Sequence, residues 1–201
     1  RLTRHASTTA ILPRFVRTRA CRGRRMLTFI SGGCKNGKSW YAQRLARAEG
    51  APLYYVATMI STGAEDDARI ARHIQDRDGW GFETLECGRD IPSCLKGADE
   101  GGSFLLDSVT ALLANEMFAP GGFDADAPER VAAQLEIFAR SVRSAVFVSD
   151  YIYGDAAIYD EWTERYRRGL AFVDRRLAQL CDNVLEVSAG CVICHKGAKP
   201  L

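Results

Sequence analysis

Short apolar runs alternate with longer segments of helical periodicity along most of the chain. Short apolar runs predict buried strands, whereas apolar residues at every third or fourth position predict helices. The predicted strands occupy residues 26–31, 53–58, 82–87, 103–107, 145–149 and 183–187. The predicted helices occupy residues 38–48, 65–77, 109–118, 129–143 and 160–181. A segment rich in Gly, Pro and Asp, residues 121–128, is predicted to be a loop.

The order of these elements indicates how the chain is organised. Strands that follow one another through helices need crossover connections, which favour a parallel sheet covered on both faces. The predicted fold class is therefore α/β, with a mostly parallel sheet and helices on both sides. Residues 26–201 are predicted to form one catalytic domain, and the basic residues 1–25 are predicted to be a disordered extension.

A phosphate-binding loop follows the first predicted strand. Residues 32–39 fit the pattern G-x-x-x-x-G-K-[ST] between a strand and a helix. Backbone N–H groups of such a loop surround phosphate oxygens, and the next helix adds its positive N-terminus. The predicted nucleotide contacts are Gly32, Gly33, Cys34, Lys35, Asn36, Gly37, Lys38 and Ser39. The fold is thus predicted to be P-loop NTPase-like, with Lys38 as a catalytic residue that reaches the β and γ phosphates.

A magnesium site is predicted beside this loop. The Ser39 hydroxyl is one expected ligand, and Asp107, which closes the apolar strand 103–107, is the candidate acid on the metal side. Asp107 also stands before a predicted helix, where Asp is a favourable N-cap. The sequence leaves both roles open.

A histidine lies between arginines in the second predicted helix. Arg69, His73 and Arg77 recur every four residues and therefore project from one face. A neutral imidazole is a good nucleophile, and guanidinium groups beside it would hold a triphosphate. His73 is therefore a candidate catalytic residue, although a solvated, charged helix face that includes one histidine explains the same spacing.

Charge is distributed unevenly along the 201 residues, whose formal net charge is +2. Residues 1–25 hold eight Arg and no Asp or Glu. The rest of the chain therefore contains 19 basic and 25 acidic residues. An acidic body argues against a nucleic-acid partner. No apolar run reaches the length of a membrane-spanning helix, so we predict no membrane span.

The basic leader has two explanations. Its Arg-rich, acid-free composition matches an organelle transit peptide, whereas a natural start at Met26, directly before the first strand, is the favoured explanation. Seven cysteines without a regular spacing indicate a reducing, cytoplasmic environment. The pattern Cys191-x-x-Cys194-His195 fits haem attachment or part of a zinc site, but the Val-Ile pair inside it favours the end of a strand.

Four segments together resemble one enzyme family. They are residues 31–39, Tyr55-Val-Ala-Thr58, Arg69-Ile-Ala-Arg-His73 and the run from Leu106 to Asn115. Their order and spacing over nearly all of residues 26–188 are similar to the adenosylcobinamide kinase / adenosylcobinamide-phosphate guanylyltransferase family. The resemblance implies that a nucleoside triphosphate phosphorylates adenosylcobinamide, and that GMP then passes from GTP through a histidine to give adenosylcobinamide-GDP.

The same resemblance implies roles for individual residues. His73 matches the guanylylated histidine, and Arg77 and Glu86 match contacts to the guanine nucleotide. Ala57 and Thr58 lie in a matched segment and are expected to contact the nucleotide as well. ATP, GTP and Mg²⁺ are the expected small molecules, and a homo-oligomer is expected because the family forms them, trimers among them.

The chain departs from the family pattern at several positions. Lys35 and Asn36 replace Arg and Ser in the loop, and Ile74 replaces an Arg after the histidine. Residues 149–154 replace Thr-Asn-Glu-Val-Gly, and Asp174-Arg175 replaces an Asn-Gln pair, whereas Arg167 matches a family arginine. The aromatic residues of 151–166 are interpreted as core, with a corrinoid-binding wall or a subunit interface as alternatives.

Two other functions compete with the two-step enzyme. One is a P-loop small-molecule kinase in which His73 is structural. The other is a nucleotide-gated binding protein that uses hydrolysis as a switch. Transfer of label from the α phosphate of GTP to His73 would exclude the kinase with a structural histidine. Stimulation of nucleotide consumption by adenosylcobinamide would exclude the nucleotide-gated switch.

Overall fold

The computed structural model describes residues 25–198. Its strands are β1 (Met26–Ser31), β2 (Leu53–Ala57), β3 (Phe82–Glu86), β4 (Ser103–Asp107), β5 (Phe118–Ala119), β6 (Gly122–Phe123), β7 (Ser144–Val148), β8 (Asn183–Ser188) and β9 (Cys191–Lys196). Its α-helices are α1 (Lys38–Glu49), α2 (Ala64–Asp76), α3 (Val109–Met117), α4 (Ala127–Ser141) and α5 (Glu161–Leu180). A 3-10 helix spans Ile91–Leu95.

Seven strands form one sheet in the order β3-β2-β4-β7-β1-β8-β9. The pairs from β3 to β8 are parallel, and β9 adds to the edge as an antiparallel partner of β8. The predicted α/β class with a mostly parallel sheet is therefore confirmed. Parallel strands bring their carboxyl ends to one edge of the sheet, which is where such folds bind ligands.

Both faces of the sheet are covered by helices because the central strands are apolar throughout. In β7, Phe147 packs into the larger core with α3, α4 and α5, whereas Val146 and Val148 pack into the smaller core with α1. All three of these side chains are buried. Each such burial stabilises the fold by about 1.5–3 kcal/mol, so the two cores fix the positions of the strand ends.

Several local features differ from the sequence prediction. Helix α4 begins at Ala127, earlier than predicted, because Pro128 is favourable in the first turn of a helix. The predicted loop 121–128 also contains the short hairpin strand β6, which pairs with β5. The 3-10 helix was not predicted, and the C-x-x-C-H pattern lies in β9, which confirms that it belongs to a strand.

The predictions for residues 1–24, whether a transit peptide or a disordered extension, lie outside the described residues. None of the helices in residues 25–198 combines the length and the apolar character that crossing a bilayer requires.

Candidate active site

A cleft of about 930 Å³ opens at the carboxyl ends of the parallel strands. Loops after β1, β2, β3, β4 and β7 contribute to its walls, and one side of α2 closes it laterally. The sequence-predicted residues that line it are Cys34, Lys35, Asn36, Gly37, Lys38, Ser39, Ala57, His73, Arg77, Glu86 and Asp107. The fold thus brings the phosphate-binding loop and the candidate nucleophile to one cavity.

The loop between β1 and α1 has two positions whose backbone requires glycine. Gly32 has a φ of +152°, and a Cβ atom there would lie 2.2 Å from the main-chain oxygen of Val187. Gly37, with a φ of +89°, precedes the first residue of α1, and no side chain caps this helix. The free N–H groups of the first helical turn are therefore available to an anion.

Lys38 is folded back over the loop. Its side chain is buried, and its Nζ atom donates to the main-chain oxygen of Gly33 at 2.5 Å. The same Nζ atom contacts the Asp150 Oδ1 atom at 2.8 Å. A buried ammonium group needs such partners, so an arriving phosphate has to exchange with the carboxylate of Asp150.

The two predicted magnesium ligands line the same cleft. Asp107 ends β4 and accepts a hydrogen bond from the Tyr55 hydroxyl at 3.1 Å. A carboxylate and the Ser39 hydroxyl are hard oxygen donors, and this donor set suits Mg²⁺ bound together with phosphates. The alternative role of Asp107 as helix cap was wrong, since Ser108 caps α3 by accepting from the Ala111 N–H at 3.2 Å.

Thr58, a predicted nucleotide contact, is fully buried and is not among the residues that line the cleft. Its hydroxyl donates to the Ser108 carbonyl at 2.8 Å and accepts from the Ser108 N–H at 2.7 Å. The side-chain amide of Asn115 donates one hydrogen bond to the Thr58 carbonyl at 2.7 Å and another to the Gly88 carbonyl at 2.9 Å. These bonds fasten the ends of β2 and β4 together beside Asp107.

His73 lies on the side of α2 that faces the cleft and is half-buried. Arg69, one turn earlier, is exposed and also lines the cleft. Arg77 lies beyond the end of α2 and is buried, so the three residues do not form one solvated face. The alternative interpretation of this pattern as a purely solvent-facing surface is therefore wrong for these residues.

Arg77 is held by three neighbours. Its guanidinium donates to the main-chain oxygen of His73 at 2.9 Å and to the Thr84 hydroxyl at 3.1 Å. Its Cζ atom also lies 3.9 Å from the centroid of the Tyr55 ring. Arg77 therefore ties the end of α2 to β2 and β3.

Ala57 and Glu86 come from neighbouring strands. Ala57 pairs with Glu86 of β3 on one side and with Asp107 of β4 on the other. The three residues therefore lie at the same level of the sheet, and all three line the cleft.

Sequence reasoning missed Asp150, which follows β7 and lines the cleft. Only the strand order places this residue beside Lys38, because β7 lies between β1 and β4. The residues around it are fastened, since the Asp150 N–H donates to the Thr110 hydroxyl at 2.8 Å and the Tyr151 N–H donates to the Gly32 carbonyl at 2.9 Å.

A second acid lies behind this segment. The Asp174 Oδ2 atom accepts from the hydroxyls of Ser149 and Tyr153, each at 3.1 Å. Burial raises the pKa of Asp174 to about 7, and the two hydrogen bonds and the nearby charge of Asp150 change that pKa less. Asp174 therefore supports the loop after β7 in a form that is easily protonated.

The aromatic residues of 151–166 divide between two environments. Tyr153 and Tyr166 pack against the larger core, as predicted, whereas Tyr151, Tyr159 and Trp162 are exposed. None of the five lines the cleft. The interpretation as core was therefore wrong for Tyr151, Tyr159 and Trp162.

The C-terminal pattern gives no sign of a metal centre. His195 contacts Glu186 at 2.8 Å across the β8–β9 pair. Within residues 25–198, no group of three or more His, Cys, Asp or Glu side chains is arranged to hold a metal ion.

Comparisons with known proteins point to one family. Residues 28–194 match the family model described as cobinamide kinase / cobinamide phosphate guanyltransferase. The bifunctional adenosylcobalamin biosynthesis protein CobP of Pseudomonas aeruginosa is 29% identical over 86% of this chain and 98% of its own length. The protein CobU of Salmonella typhimurium, described in the same words, is 30% identical over 82% of this chain and 97% of its own length.

Among solved structures, likeness extends to the fold alone. A protein from Pyrococcus horikoshii OT3, solved as project PH0250, is 8% identical and has a TM-score of 0.51, over 88% of this chain and 89% of that one. The RadB recombinase is 18% identical with a TM-score of 0.48, over 86% of this chain and 81% of that one.

Proposed function

Since the chain belongs to the cobinamide kinase / cobinamide phosphate guanyltransferase family, we propose that one cleft performs both of its reactions and that His73 carries the GMP. The observation that supports this is the shared cavity, in which the phosphate-binding loop and His73 face the same space. A triphosphate bound by the loop would then extend toward α2, where Arg69 and Arg77 accompany the imidazole.

In the kinase reaction, the hydroxyl oxygen of adenosylcobinamide attacks the γ phosphorus of a nucleoside triphosphate. The bond from that phosphorus to the bridging oxygen breaks, and the nucleoside diphosphate leaves with the electron pair. Lys38 and the N–H groups at the start of α1 stabilise the charge on the transferred group. The buried position of Lys38 supports this role, because an ammonium group acts more strongly where water is excluded.

In the guanylyltransferase reaction, an imidazole nitrogen of His73 attacks the α phosphorus of GTP and pyrophosphate leaves. A phosphate oxygen of the phosphorylated corrinoid then attacks the same phosphorus, and the histidine is released. Splitting the transfer into two displacements lets the two large substrates use the site in turn. We assign Glu86 to the guanine base, because a carboxylate can accept the N–H groups that distinguish guanine from adenine.

We propose that ATP and GTP both bind through the loop and that Mg²⁺ is held by Ser39 and Asp107. When bound, Mg²⁺ neutralises phosphate charge during the transfer. The fit of the oxygen donors in the cleft supports this assignment. We expect EDTA to abolish nucleotide consumption, and added Mg²⁺ to restore it.

We also propose a cytoplasmic location, which the bacterial sources and biosynthetic names of the two relatives support. A homo-oligomer, with a trimer as the expected form, is proposed as well. Exposed apolar side chains outside the cleft, such as Phe118, Ile137 and Trp162, support it because oligomer interfaces are apolar. Sedimentation of the purified chain tests this proposal, and a monomer at all concentrations would exclude it.

The decisive experiment is incubation with GTP labelled on the α phosphate, without corrinoid. The expected result is acid-labile, base-stable label on the protein that is lost in His73→Ala. His195→Ala is the matched control, because His195 is exposed and bonded to Glu186 outside the cleft. If the wild type takes up no label while it still phosphorylates adenosylcobinamide, the chain is a kinase alone.

A further inference from the structure

Five carboxylates line the cleft among the described residues, and their surroundings differ. They are Glu65, Asp66, Glu86, Asp107 and Asp150. The phosphorylation of an alcohol releases a proton, and a carboxylate near the transferred phosphoryl group can accept it. Their positions relative to the phosphate-binding loop show which of the five carboxylates is best placed to accept that proton.

The other four belong to α2, to the edge strand β3 or to the candidate metal site. Asp66 accepts from the N–H and the hydroxyl of Thr62, at 2.9 and 2.6 Å, and thereby fixes the start of α2. Glu65 lies in the same first turn. Glu86 ends the edge strand β3, which β2, β4 and β7 separate from the P-loop strand β1. Asp107 is the candidate metal ligand.

Asp150 differs because its carboxylate contacts the lysine of the loop. The Nζ–Oδ1 distance is 2.8 Å, with 6% of the Lys38 side chain and 24% of the Asp150 side chain exposed. The lysine of a P-loop reaches the β and γ phosphates. A carboxylate beside that lysine therefore lies next to the phosphoryl group that is transferred, and its partial exposure leaves it open to a substrate in the cleft.

The main chain around residue 150 is fixed by hydrogen bonds. The N–H groups of three consecutive residues are bonded, that of Ser149 to Ile30 at 2.9 Å, that of Asp150 to Thr110 at 2.8 Å and that of Tyr151 to Gly32 at 2.9 Å. Two of these partners belong to β1 and the loop that follows it. The carboxylate is thus held in register with the phosphate-binding loop, as a proton acceptor has to be.

We propose that Asp150 accepts the proton of the corrinoid hydroxyl in the phosphorylation step, an inference that rests on the kinase activity proposed above. When a triphosphate binds, Lys38 moves its contact from Asp150 to the phosphates, and the carboxylate becomes free. The hydroxyl oxygen then bonds to the γ phosphorus, the bond to the bridging oxygen breaks, and the proton passes to Asp150. Guanylylation of His73 uses no hydroxyl nucleophile and does not need this group.

The test is Asp150→Asn in two assays with the full chain. In the first, phosphorylation of adenosylcobinamide is measured with a saturating triphosphate, and kcat is expected to fall by a factor of about 100 or more. In the second, labelling of His73 from GTP is measured without corrinoid, and its rate is expected to stay within about threefold of the wild type. The KM for the nucleotide is expected to stay the same or to fall, because the asparagine competes less with phosphate for Lys38.

Glu161→Gln is the matched control, since it neutralises an exposed carboxylate that contacts Arg165 outside the cleft, and it is expected to leave both rates unchanged. Retained labelling in Asp150→Asn also shows that the cleft is folded. A variant whose kcat stays within about threefold, with a lower nucleotide KM, would show that Asp150 only neutralises Lys38 and would overturn the inference alone. A wild type without kinase activity would instead remove the proposed function, and this inference with it.

Discussion

The guanidinium of Arg77 donates to the main-chain oxygen of His73 at 2.9 Å, across the last turn of α2. The arginine is buried against Tyr55 and Thr84, whereas the histidine is half-buried beside the cleft. One residue therefore fixes the helix end on which the other is displayed. The end of α2 that carries His73 is thus anchored to the sheet through Arg77.

Replacement of this arginine should therefore affect guanylylation. Arg77→Lys keeps the charge but cannot donate to His73 and Thr84 together in the same planar geometry. We expect the rate of His73 labelling to fall about tenfold and the free energy of unfolding to fall by about 1–3 kcal/mol. Arg140→Lys, on the exposed face of α4, is the control and should change neither quantity. Normal labelling in Arg77→Lys would show that the histidine is positioned by α2 itself.

The loop should not tolerate a side chain at its first glycine. In Gly32→Ala the new Cβ atom would meet the Val187 carbonyl oxygen at 2.2 Å, at a φ of +152°. We expect nucleotide affinity, measured by isothermal titration, to fall at least tenfold, because the loop has to move away from β8. Gly121→Ala is the matched control, since a Cβ atom at that residue would meet no other atom within 4 Å, and it should bind nucleotide normally.

The buried hydroxyl of Thr58 should contribute to stability. Thr58→Val keeps the shape of the side chain but leaves the N–H and carbonyl groups of Ser108 without this partner. A loss of about 1–3 kcal/mol in the free energy of unfolding is expected in urea titrations. Thr58→Ser retains the hydroxyl and should recover most of that loss. A Thr58→Val variant as stable as the wild type would show that the hydroxyl does not contribute to stability.

Asp174 should make stability depend on pH. The pKa of its carboxyl is near 3.8 in the unfolded chain, whereas burial raises the pKa in the native state to about 7. Between these values the unfolded state binds fewer protons, so the free energy of unfolding falls as the pH rises. This contribution approaches about 1.4 kcal/mol per pH unit for one proton.

Asp174→Asn removes that titration. The variant should therefore gain stability relative to the wild type as urea titrations move from pH 5 to pH 8. Glu161→Gln, an exposed control at the start of α5, should follow the wild type at every pH. A constant difference between Asp174→Asn and the wild type over this range would exclude the raised pKa.

Much of the architecture could be predicted from local patterns. The strands 26–31, 103–107 and 183–187 are apolar runs whose periodicity is readable without tertiary contacts. Helix boundaries were harder to predict, because caps depend on single residues, and the cap of α3 fell on Ser108 where Asp107 was considered. The antiparallel edge strand β9 was not predicted in full because its residues are mostly exposed and carry little apolar signal.

By itself, the sequence determined the phosphate-binding loop, since its chemistry lies in eight consecutive residues and in the strand and helix that flank them. The tertiary structure alone decided which distant side chains meet that loop. Asp150 follows the loop by more than a hundred residues, yet the insertion of β7 between β1 and β4 places its carboxylate 2.8 Å from Lys38. The physical reason is that a parallel sheet gathers strand ends by hydrogen-bond pairing, and the order of that pairing is not written in the periodicity of any one strand.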